Sequence, residues 1–247
     1  MKLNEGLWYY IVSKSGTGLG EWEYILLTVG FALAAMIAGY LLGSINSAVI
    51  ISKVFYGDDI RNHGSGNAGM TNMLRTYGTR AAVLTLLGDM LKTLLAILVA
   101  ALLFGFHYNY AISLDDGFCY VAGLFAVLGH VFPIFYGFKG GKGVLVTSTM
   151  ALILTPIPFL LLLAIFIATV GASKYVSLGS VTVAVLYPVV VNAYIKFIFQ
   201  AQAPGILSLC TVILAIFIVW CHRENLKRIS NRTESKISFG KKREDDE

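Results

Sequence analysis

Long apolar runs separated by short polar loops dominate the chain. A helix needs about 20 apolar residues to cross a bilayer core of about 30 Å. A run at 81–106 is interrupted only by Asp89 and Lys92. The pattern predicts an all-α, polytopic membrane helical bundle. The runs that contain no charged residue cover 24–52, 117–138, 143–173, 175–195 and 197–222.

The run 143–173 is long for one helix and short for two, and the distribution of Lys and Arg decides between them. Cationic residues collect on the cytoplasmic side of membrane proteins. The largest groups lie in the loop after the first run and in the tail that begins at Arg223. These two groups lie on the cytoplasmic side together with Lys139, Lys142 and Lys174 only if the run 143–173 crosses the membrane twice, turning at Pro156 and Pro158. The sequence thus predicts seven transmembrane helices, with the N-terminus outside and the C-terminus inside.

Composition agrees with a single membrane domain over residues 1–247, since 57% of the residues are hydrophobic and only 13% are charged. The net charge of +5 is explained by inside-facing loops, so no nucleic-acid partner is expected. Residues 1–23 lack the pattern of a secretory signal and carry interfacial aromatics such as Trp8 and Trp22. We expect them to form an extracytoplasmic interfacial extension. Residues 235–247 are expected to form a charged, disordered cytoplasmic tail.

The segment 138–143, Phe-Lys-Gly-Gly-Lys-Gly, is the strongest candidate for chemistry. Glycines allow successive backbone N–H groups to converge, and Lys139 and Lys142 add positive charge, so the segment suits a phosphate group. The alternative is that both lysines are ordinary inside-facing anchors. A Walker A motif is excluded because Lys142 is followed by Gly143 rather than Ser or Thr. Neither a nucleotide nor a metal site is indicated, and no cofactor is expected.

Three further polar segments fall on the same predicted side. Residues 64–75 combine glycines, hydroxyls and amides with Arg75, whose planar fork suits a phosphate. A flexible connector followed by a capped helix is the alternative there. A short loop carries Ser177, and His222 and Asn225 lie three residues apart, where a helix would place them on one face. A simple turn and a solvated helix end are the respective alternatives.

Two other polar features lie within or at the end of apolar runs. Asp89 and Lys92 are three residues apart inside a span, where ionisable groups pair or line a cavity. We interpret them as a structural ion pair that supports the site. His130 ends the run before the glycine-rich segment and is interpreted as a packing or hydrogen-bonding residue outside the catalytic set.

These segments together resemble the PlsY family, the membrane acyl-phosphate:glycerol-3-phosphate acyltransferases of bacteria. The resemblance covers roughly 41–234. It is strongest in Ser-Gly-Asn (65–67) through Thr71, Asn72 and Arg75, and in Gly-His-Val-Phe-Pro-Ile-Phe (129–135) leading into 138–143. Weaker matches at 175–178 and 222–225 follow in the expected order.

The resemblance implies transfer of a fatty acyl group from acyl phosphate to the 1-hydroxyl of glycerol 3-phosphate. The products are lysophosphatidate and inorganic phosphate, and the site lies on the cytoplasmic side of the bacterial cell membrane. Membrane lipid and an enzyme that supplies acyl phosphate are the implied partners. The residues implied as catalytic are Lys142, Ser65, Arg75, His222 and Asn225. Those implied in substrate binding are Asn67, Thr71, Asn72, Lys139, Gly140, Gly141, Gly143 and Ser177.

No protein base is evident, because none of the four histidines begins the His-x4-Asp motif of other glycerolipid acyltransferases. Binding and charge stabilisation are therefore expected to supply most of the acceleration, and the donor phosphate to accept the proton. The sequence departs from the family pattern at Met70, where a small residue is usual. It also departs at Leu145 and Val146, which displace the family's Thr by one position, to Thr147.

Two other classes of protein share some of these features. A transporter of a phosphorylated metabolite would use basic loops, but it needs polar groups near the midplane that are reachable from both sides. An assembly protein that binds anionic headgroups needs charge, but not the hydroxyl and amides of Ser65, Asn67 and Asn72. The acyltransferase interpretation accounts for more of the chain.

Overall fold

The computed structural model describes residues 6–14, 18–105 and 114–237, without the side chains of 114–116. Within these ranges the chain is helical and has no strand, which confirms the predicted all-α class. The helices are α1 (Gly6–Lys14), α2 (Glu21–Gly43), α3 (Ser47–Tyr56), α4 (Met70–Tyr77), α5 (Thr79–Phe104), α6 (Leu114–Val131), α7 (Val144–Leu154), α8 (Pro156–Ser173), α9 (Val176–Ile198), α10 (Gly205–Cys221) and α11 (Arg223–Ser230).

Helix α5 lies at the centre of the bundle and packs against α1, α2, α3, α4, α6 and α7. Helices α8, α9 and α10 continue the bundle, and α10 returns to contact α6. The apolar core lies between these helices, and Phe104, Tyr120 and Met150 are among its fully buried side chains. This packing brings the ends of α4, α6, α7 and α11 towards one another.

Small residues let α2 and α6 approach closely. A Cβ added to Gly39 would lie 2.5 Å from the Ala122 carbonyl oxygen, and one added to Gly43 would lie 2.2 Å from that of Ala126. Such contacts exclude any larger side chain and are typical of helix pairs in membranes. They fix the position of α6, which ends directly before the glycine-rich segment.

Five stretches of helix are long and apolar enough to cross a membrane, namely Glu21–Tyr56, Thr79–Phe104, Gly117–Tyr136, Pro156–Ser173 and Val176–Ile198. The pair α10 and α11, bent by 52°, gives a sixth, and the apolar helix α7 is shorter than the others. The protein is therefore multi-pass. Seven crossings and their orientation stay a prediction.

The predicted turn in the run 143–173 coincides with a helix break. Helix α7 ends at Leu154, Thr155 leaves the helical conformation, and Pro156 begins α8. Proline suits this place because the first residue of a helix needs no backbone N–H donor. The long run is thus two helices.

The predicted terminal segments are described only in part. Within 1–23, α1 packs against α5 and α2, and the Trp8 Nε1 donates to Thr28 Oγ1 at 3.0 Å. The side of the membrane on which this segment lies stays a prediction. Of the predicted tail, 235–237 contacts the bundle, where the Ile237 N–H donates to the Lys174 carbonyl at 2.9 Å. Residues 238–247 lie outside the described part.

Candidate functional site

The glycine-rich segment folds back onto the end of α6. The Gly140 N–H donates to the Val131 carbonyl and the Gly141 N–H to the His130 carbonyl, both at 3.1 Å. A Cβ at Gly140 would lie 2.0 Å from the His130 carbonyl oxygen, and one at Gly141 would lie 2.0 Å from His130 Nε2. Gly143 has a φ of +80° and precedes the first turn of α7. We call residues 137–143 the glycine loop; its close contact with His130 requires glycine at 140 and 141.

An arginine joins the glycine loop to the loop at 58–69. Arg61 holds Asp59 in a bidentate pair, with Nε–Oδ1 at 2.9 Å and Nη2–Oδ2 at 2.7 Å. Its Nη1 donates to the Tyr136 carbonyl at 2.7 Å and to that of Lys139 at 3.4 Å. The hydrogen bond from Arg61 lowers the pKa of Asp59 to about 2, so the pair is ionised at neutral pH. The two loops are therefore fixed to one another.

Asn72 shapes the loop that carries Ser65. Its Oδ1 accepts from the Ser65 N–H at 3.0 Å, and its Nδ2 donates to the carbonyls of His63 at 2.9 Å and Ile60 at 3.3 Å. Both amide hydrogens are engaged, which leaves no donor for the substrate contact predicted for Asn72. The side chain of Ser65 is exposed and stands at the surface of this loop.

The other predicted residues of this segment lie around the start of α4. Asn67 is half-buried and Thr71 lies in the first turn of α4, which begins at Met70. The neighbouring Ala68 N–H reaches the Gly140 carbonyl at 3.4 Å, so this segment contacts the glycine loop directly. Arg75 is exposed on the last turn of α4. A helix does begin here, as the alternative interpretation of this segment expected, but its N-cap residue Gly69 makes no side-chain cap hydrogen bond.

Lys142 is the point at which the distant segments meet. It is half-buried, and its Nζ donates to Asn225 Oδ1 of α11. The Asn225 Nδ2 donates to Glu234 Oε1 at 2.6 Å, and the Ser177 Oγ of α9 donates to the same oxygen at 2.8 Å. The structure thus brings together Lys142, Asn225 and Ser177, three residues singled out from sequence. Lys139, by contrast, is exposed and lies on the outer side of the loop.

Glu234 and Arg228 belong to this cluster and were missed in the sequence. The Arg228 Nε donates to Glu234 Oε2 at 2.7 Å, so both carboxylate oxygens of Glu234 are occupied. One signal was present, because Glu234 is one of only two acids within the basic tail 223–243. The segment after it crosses the site, and the Arg75 Nη2 lies 3.5 Å from the Ser235 carbonyl.

The pKa values of Lys142 and Glu234 are shifted in the directions that their surroundings dictate. Burial lowers the pKa of Lys142 to about 8; the carboxylate of Glu234 opposes the shift, while Arg228 and Arg75 add to it. Burial alone would raise the pKa of Glu234, but hydrogen bonds from Asn225, Arg228 and Ser177 outweigh it and hold that pKa below its usual range. The site carries an excess of positive charge and suits an anionic ligand.

His222 lies between α10 and α11 and is buried. Its Nδ1 is 2.8 Å from the Ile218 carbonyl oxygen. Because a carbonyl only accepts, Nδ1 carries a proton, and in the neutral ring Nε2 is left as an acceptor. Such a nitrogen suits a hydroxyl group.

The two departures from the family pattern also have a place in the structure. Met70 is half-buried in the first turn of α4. In α7, Val146 is fully buried, and the Thr147 hydroxyl is buried without a hydrogen-bond partner in the described part of the chain. The hydroxyl of the displaced threonine therefore makes no hydrogen bond to any residue that the structure describes.

Comparison with known proteins identifies the family. A family model described as glycerol-3-phosphate acyltransferase matches residues 33–232. Glycerol-3-phosphate acyltransferases of Geobacillus kaustophilus and Bacillus subtilis are 38% and 40% identical to this chain, covering 84% and 83% of it and 97% and 96% of their own lengths.

Solved structures give the same family. Crystal structures of PlsY, an integral membrane glycerol 3-phosphate acyltransferase, superpose with TM-scores of 0.71 for the glycerol 3-phosphate form and 0.69 for the lysophosphatidic acid form. They are 33% and 31% identical to this chain, and each match covers 84% of it and 96% and 95% of the other chain. This chain therefore belongs to the PlsY family of integral membrane glycerol-3-phosphate acyltransferases.

Proposed function

We propose that the acyl donor of this protein is an acyl phosphate, and that the 1-hydroxyl of glycerol 3-phosphate is the acceptor. The hydroxyl oxygen forms a bond to the carbonyl carbon of the donor, and the bond from that carbon to the phosphate oxygen breaks. The proton of the hydroxyl leaves with the phosphate group. The products are lysophosphatidate and inorganic phosphate, formed at the cytoplasmic face of the bacterial cell membrane.

The observation that carries this proposal is the position of Lys142. Its ammonium group stands at the end of the glycine loop, and it is close enough to Arg75 and Arg228 for their charges to lower its pKa. Three cations on separate segments suit a site that holds two phosphate groups at once. A donor with a phosphate leaving group and a phosphorylated acceptor meet that requirement.

The roles follow from this placement. Lys142 and the backbone of Gly143 hold the acyl-phosphate group, with Lys139 at the outer rim. Gly140 and Gly141 shape the loop around it, because their N–H groups donate to the carbonyls of Val131 and His130. The acceptor is bound by the other members of the catalytic set named from sequence: Arg75 takes its phosphate, and the Nε2 of His222 accepts from a glycerol hydroxyl. Asn225 orients Lys142, and Ser177 lines the site. Ser65, Asn67 and Thr71 face the acceptor from the loop that Asn72 shapes.

Binding and charge stabilisation provide the acceleration in this scheme. Two reactants held in line gain the advantage of proximity, and Lys142 stabilises the charge that develops on the leaving phosphate. The phosphate group itself accepts the proton. No side-chain base has to be assigned.

The test is acyl transfer from palmitoyl phosphate to radiolabelled glycerol 3-phosphate by the purified protein in detergent. Lys142→Ala is measured beside the wild type, and palmitoyl-CoA and palmitoyl-acyl carrier protein are offered as alternative donors. We expect lipid-soluble label from palmitoyl phosphate that falls by about a hundredfold in the variant. Transfer from either alternative donor but not from palmitoyl phosphate would contradict the proposed donor.

A further inference from the structure

A buried polar cluster lies directly beneath the glycine loop and has no role in the scheme above. It consists of Asp89 and Lys92 of α5, His130 of α6 and Ser47 of α3, all of them buried. The predicted ion pair is present, with Lys92 Nζ 2.8 Å from Asp89 Oδ1. Ser47 Oγ donates to the same carboxylate oxygen at 3.0 Å. Charged groups are costly to bury in a membrane protein and usually mark function.

Lys92 connects α5 with α6 and with the turn between α2 and α3 through its ammonium group. Besides Asp89, its Nζ donates to the Ile45 carbonyl at 2.9 Å, between α2 and α3, and lies 2.8 Å from His130 Nδ1. An ammonium group has three donors and no acceptor. All three hydrogens of Lys92 therefore have an acceptor, and none remains for a substrate.

The contact with Lys92 also fixes the state of the His130 ring. Because Lys92 can only donate, Nδ1 must accept, and the proton of the neutral ring is on Nε2. That nitrogen lies against Gly141, where an added Cβ would be 2.0 Å away. The backbone of the same histidine accepts from the Gly141 N–H. His130 thus forms the floor of the glycine loop with both its ring and its carbonyl group.

We propose that Lys92 is a positioning residue for acyl transfer: by holding the His130 ring against Gly141, it sets the position of the glycine loop and of Lys142. The inference rests on the proposed function only in that the glycine loop binds the donor. Asp89 holds the ammonium group of Lys92 in place through their contact at 2.8 Å. A displacement of about 1 Å at a reacting group can cost about a hundredfold in rate, so loss of this support reaches the chemistry without any contact between Lys92 and substrate.

The decisive comparison is between two double variants, Asp89→Asn with Lys92→Met and Asp89→Asn with Lys92→Gln. Both remove the two charges together, which avoids leaving one of them buried and unpaired. They differ in one property, since the side chain introduced by Lys92→Gln still donates to His130 and that introduced by Lys92→Met does not. Thr85→Val is the matched control, because Thr85 is buried on the same helix and, among the described residues, its hydroxyl bonds only to the Ala81 carbonyl, at 2.8 Å.

Two measurements are made on each folded protein. Hydrogen–deuterium exchange of the peptide 137–147 reports the order of the loop without any substrate, and steady-state kinetics separate kcat from the KM of each substrate. We expect the double variant with Lys92→Met to exchange about tenfold faster in the loop and to lose at least about tenfold in kcat/KM for the acyl donor. The double variant with Lys92→Gln should recover most of the slow loop exchange and most of the kcat/KM for the acyl donor. Thr85→Val should match the wild type in both measurements.

If Asp89 and Lys92 only stabilise the fold and do not position the glycine loop, a different result is expected. The two double variants would then share the same loop exchange and the same kinetic constants, which would overturn the proposal. His130→Phe provides a second route if the variant with Lys92→Met is not recovered, because it leaves the ion pair intact and removes the ring nitrogens. Wild-type kinetics and loop exchange in His130→Phe would likewise overturn it. If the wild type uses acyl-CoA instead of acyl phosphate, the donor proposal fails, while the exchange comparison still tests Lys92.

Discussion

Lys142 is subject to opposing influences. Burial lowers its pKa to about 8, and the negative charge of Glu234 counteracts that shift. A lysine with such a pKa is charged at neutral pH, yet it is less hydrated than a surface lysine. It can therefore interact with an incoming phosphate at a lower desolvation cost.

The pH dependence of the reaction should follow this group. As the pH rises through about 8, Lys142 loses its proton and the site loses a positive charge. The kcat/KM for acyl phosphate reports groups of the free enzyme, so we expect it to fall by up to about tenfold per pH unit above that pKa. Lys142→Arg, whose side chain stays charged, should have lower activity but no decline in this range. The same alkaline decline in Lys142→Arg would assign it to another group.

His222 is expected to act in acceptor binding. Its Nδ1 proton is committed to the Ile218 carbonyl, so Nε2 offers an acceptor to a glycerol hydroxyl. In His222→Ala we expect the KM for glycerol 3-phosphate to rise about tenfold, which corresponds to about 1.4 kcal/mol for one hydrogen bond. The KM for the acyl donor, measured on the same preparation, serves as the internal control. A loss confined to kcat would contradict this assignment.

At the residue scale, a site residue could be predicted from the sequence when the residues it acts with are close to it along the chain. Lys142 and the glycines beside it form a local pattern, and so do Ser65 and Arg75. Glu234 and Arg61 do not, because their partners Ser177 and Tyr136 are 57 and 75 residues away. A carboxylate in a basic tail and an arginine in a loop have the same local sequence whether or not such a partner exists.

At the scale of elements, the contact between α2 and α6 controls the approach to the site. Gly43 of α2 faces Ala126, and Gly129 of α6 lies against the Tyr40 carbonyl, where an added Cβ would be 2.2 Å away. The next residue, His130, carries the glycine loop. Any widening of this pair therefore moves the floor of the site.

Two glycine substitutions on α2 test that contact. Gly43→Ala places a methyl group 2.2 Å from the Ala126 carbonyl oxygen, whereas Gly30→Ala on the same helix meets nothing within 4 Å. We expect Gly43→Ala to destabilise the fold by about 1–3 kcal/mol through overpacking. Gly30→Ala should be neutral or slightly stabilising because alanine is the better helix former. Thermal unfolding in one detergent compares them, and equal midpoints would show that α2 and α6 can separate without cost.

Sequence reasoning succeeded at this scale where the backbone chemistry is strict and failed where packing decides. Pro156 can only begin a helix or break one, and α8 begins there. The glycines at 39 and 43 of α2 gave no comparable signal, since four-residue spacing of small residues matters only when another helix lies opposite. Sequence alone does not say which helix that is.

For the whole molecule, the number of crossings depends on α7. Its 11 residues rise about 1.5 Å each, which is well short of a bilayer core of about 30 Å. A seventh crossing therefore requires both ends of α7 to lie at membrane depth. Irregular backbone is tolerated there when protein covers it. Gly141, Gly143 and Thr155, which flank α7, are all buried. Protein therefore covers the irregular backbone at both ends of α7.

Cysteine accessibility in sealed vesicles decides between the two topologies. In a background without Cys119, Cys210 and Cys221, single cysteines are placed at the exposed positions Thr79, Gln202 and Ser230. If α7 and α8 each cross, six crossings separate Thr79 from Ser230, and both are labelled from the same side by an impermeant maleimide. If α7 and α8 together form one crossing, five crossings separate Thr79 from Ser230, and the two positions lie on opposite sides of the membrane.

We expect Thr79→Cys and Ser230→Cys to react only from the cytoplasmic side and Gln202→Cys only from outside. The physical reason is that fifteen of the 19 Lys and Arg residues then lie inside. Labelling after detergent lysis controls for a cysteine that is accessible from neither side. Labelling of Ser230→Cys from outside would contradict the seven-helix prediction. It would also separate α11, with Asn225, from the cytoplasmic loop that precedes Thr79. Because Asn225 accepts from Lys142, that arrangement is incompatible with the site as it is folded here.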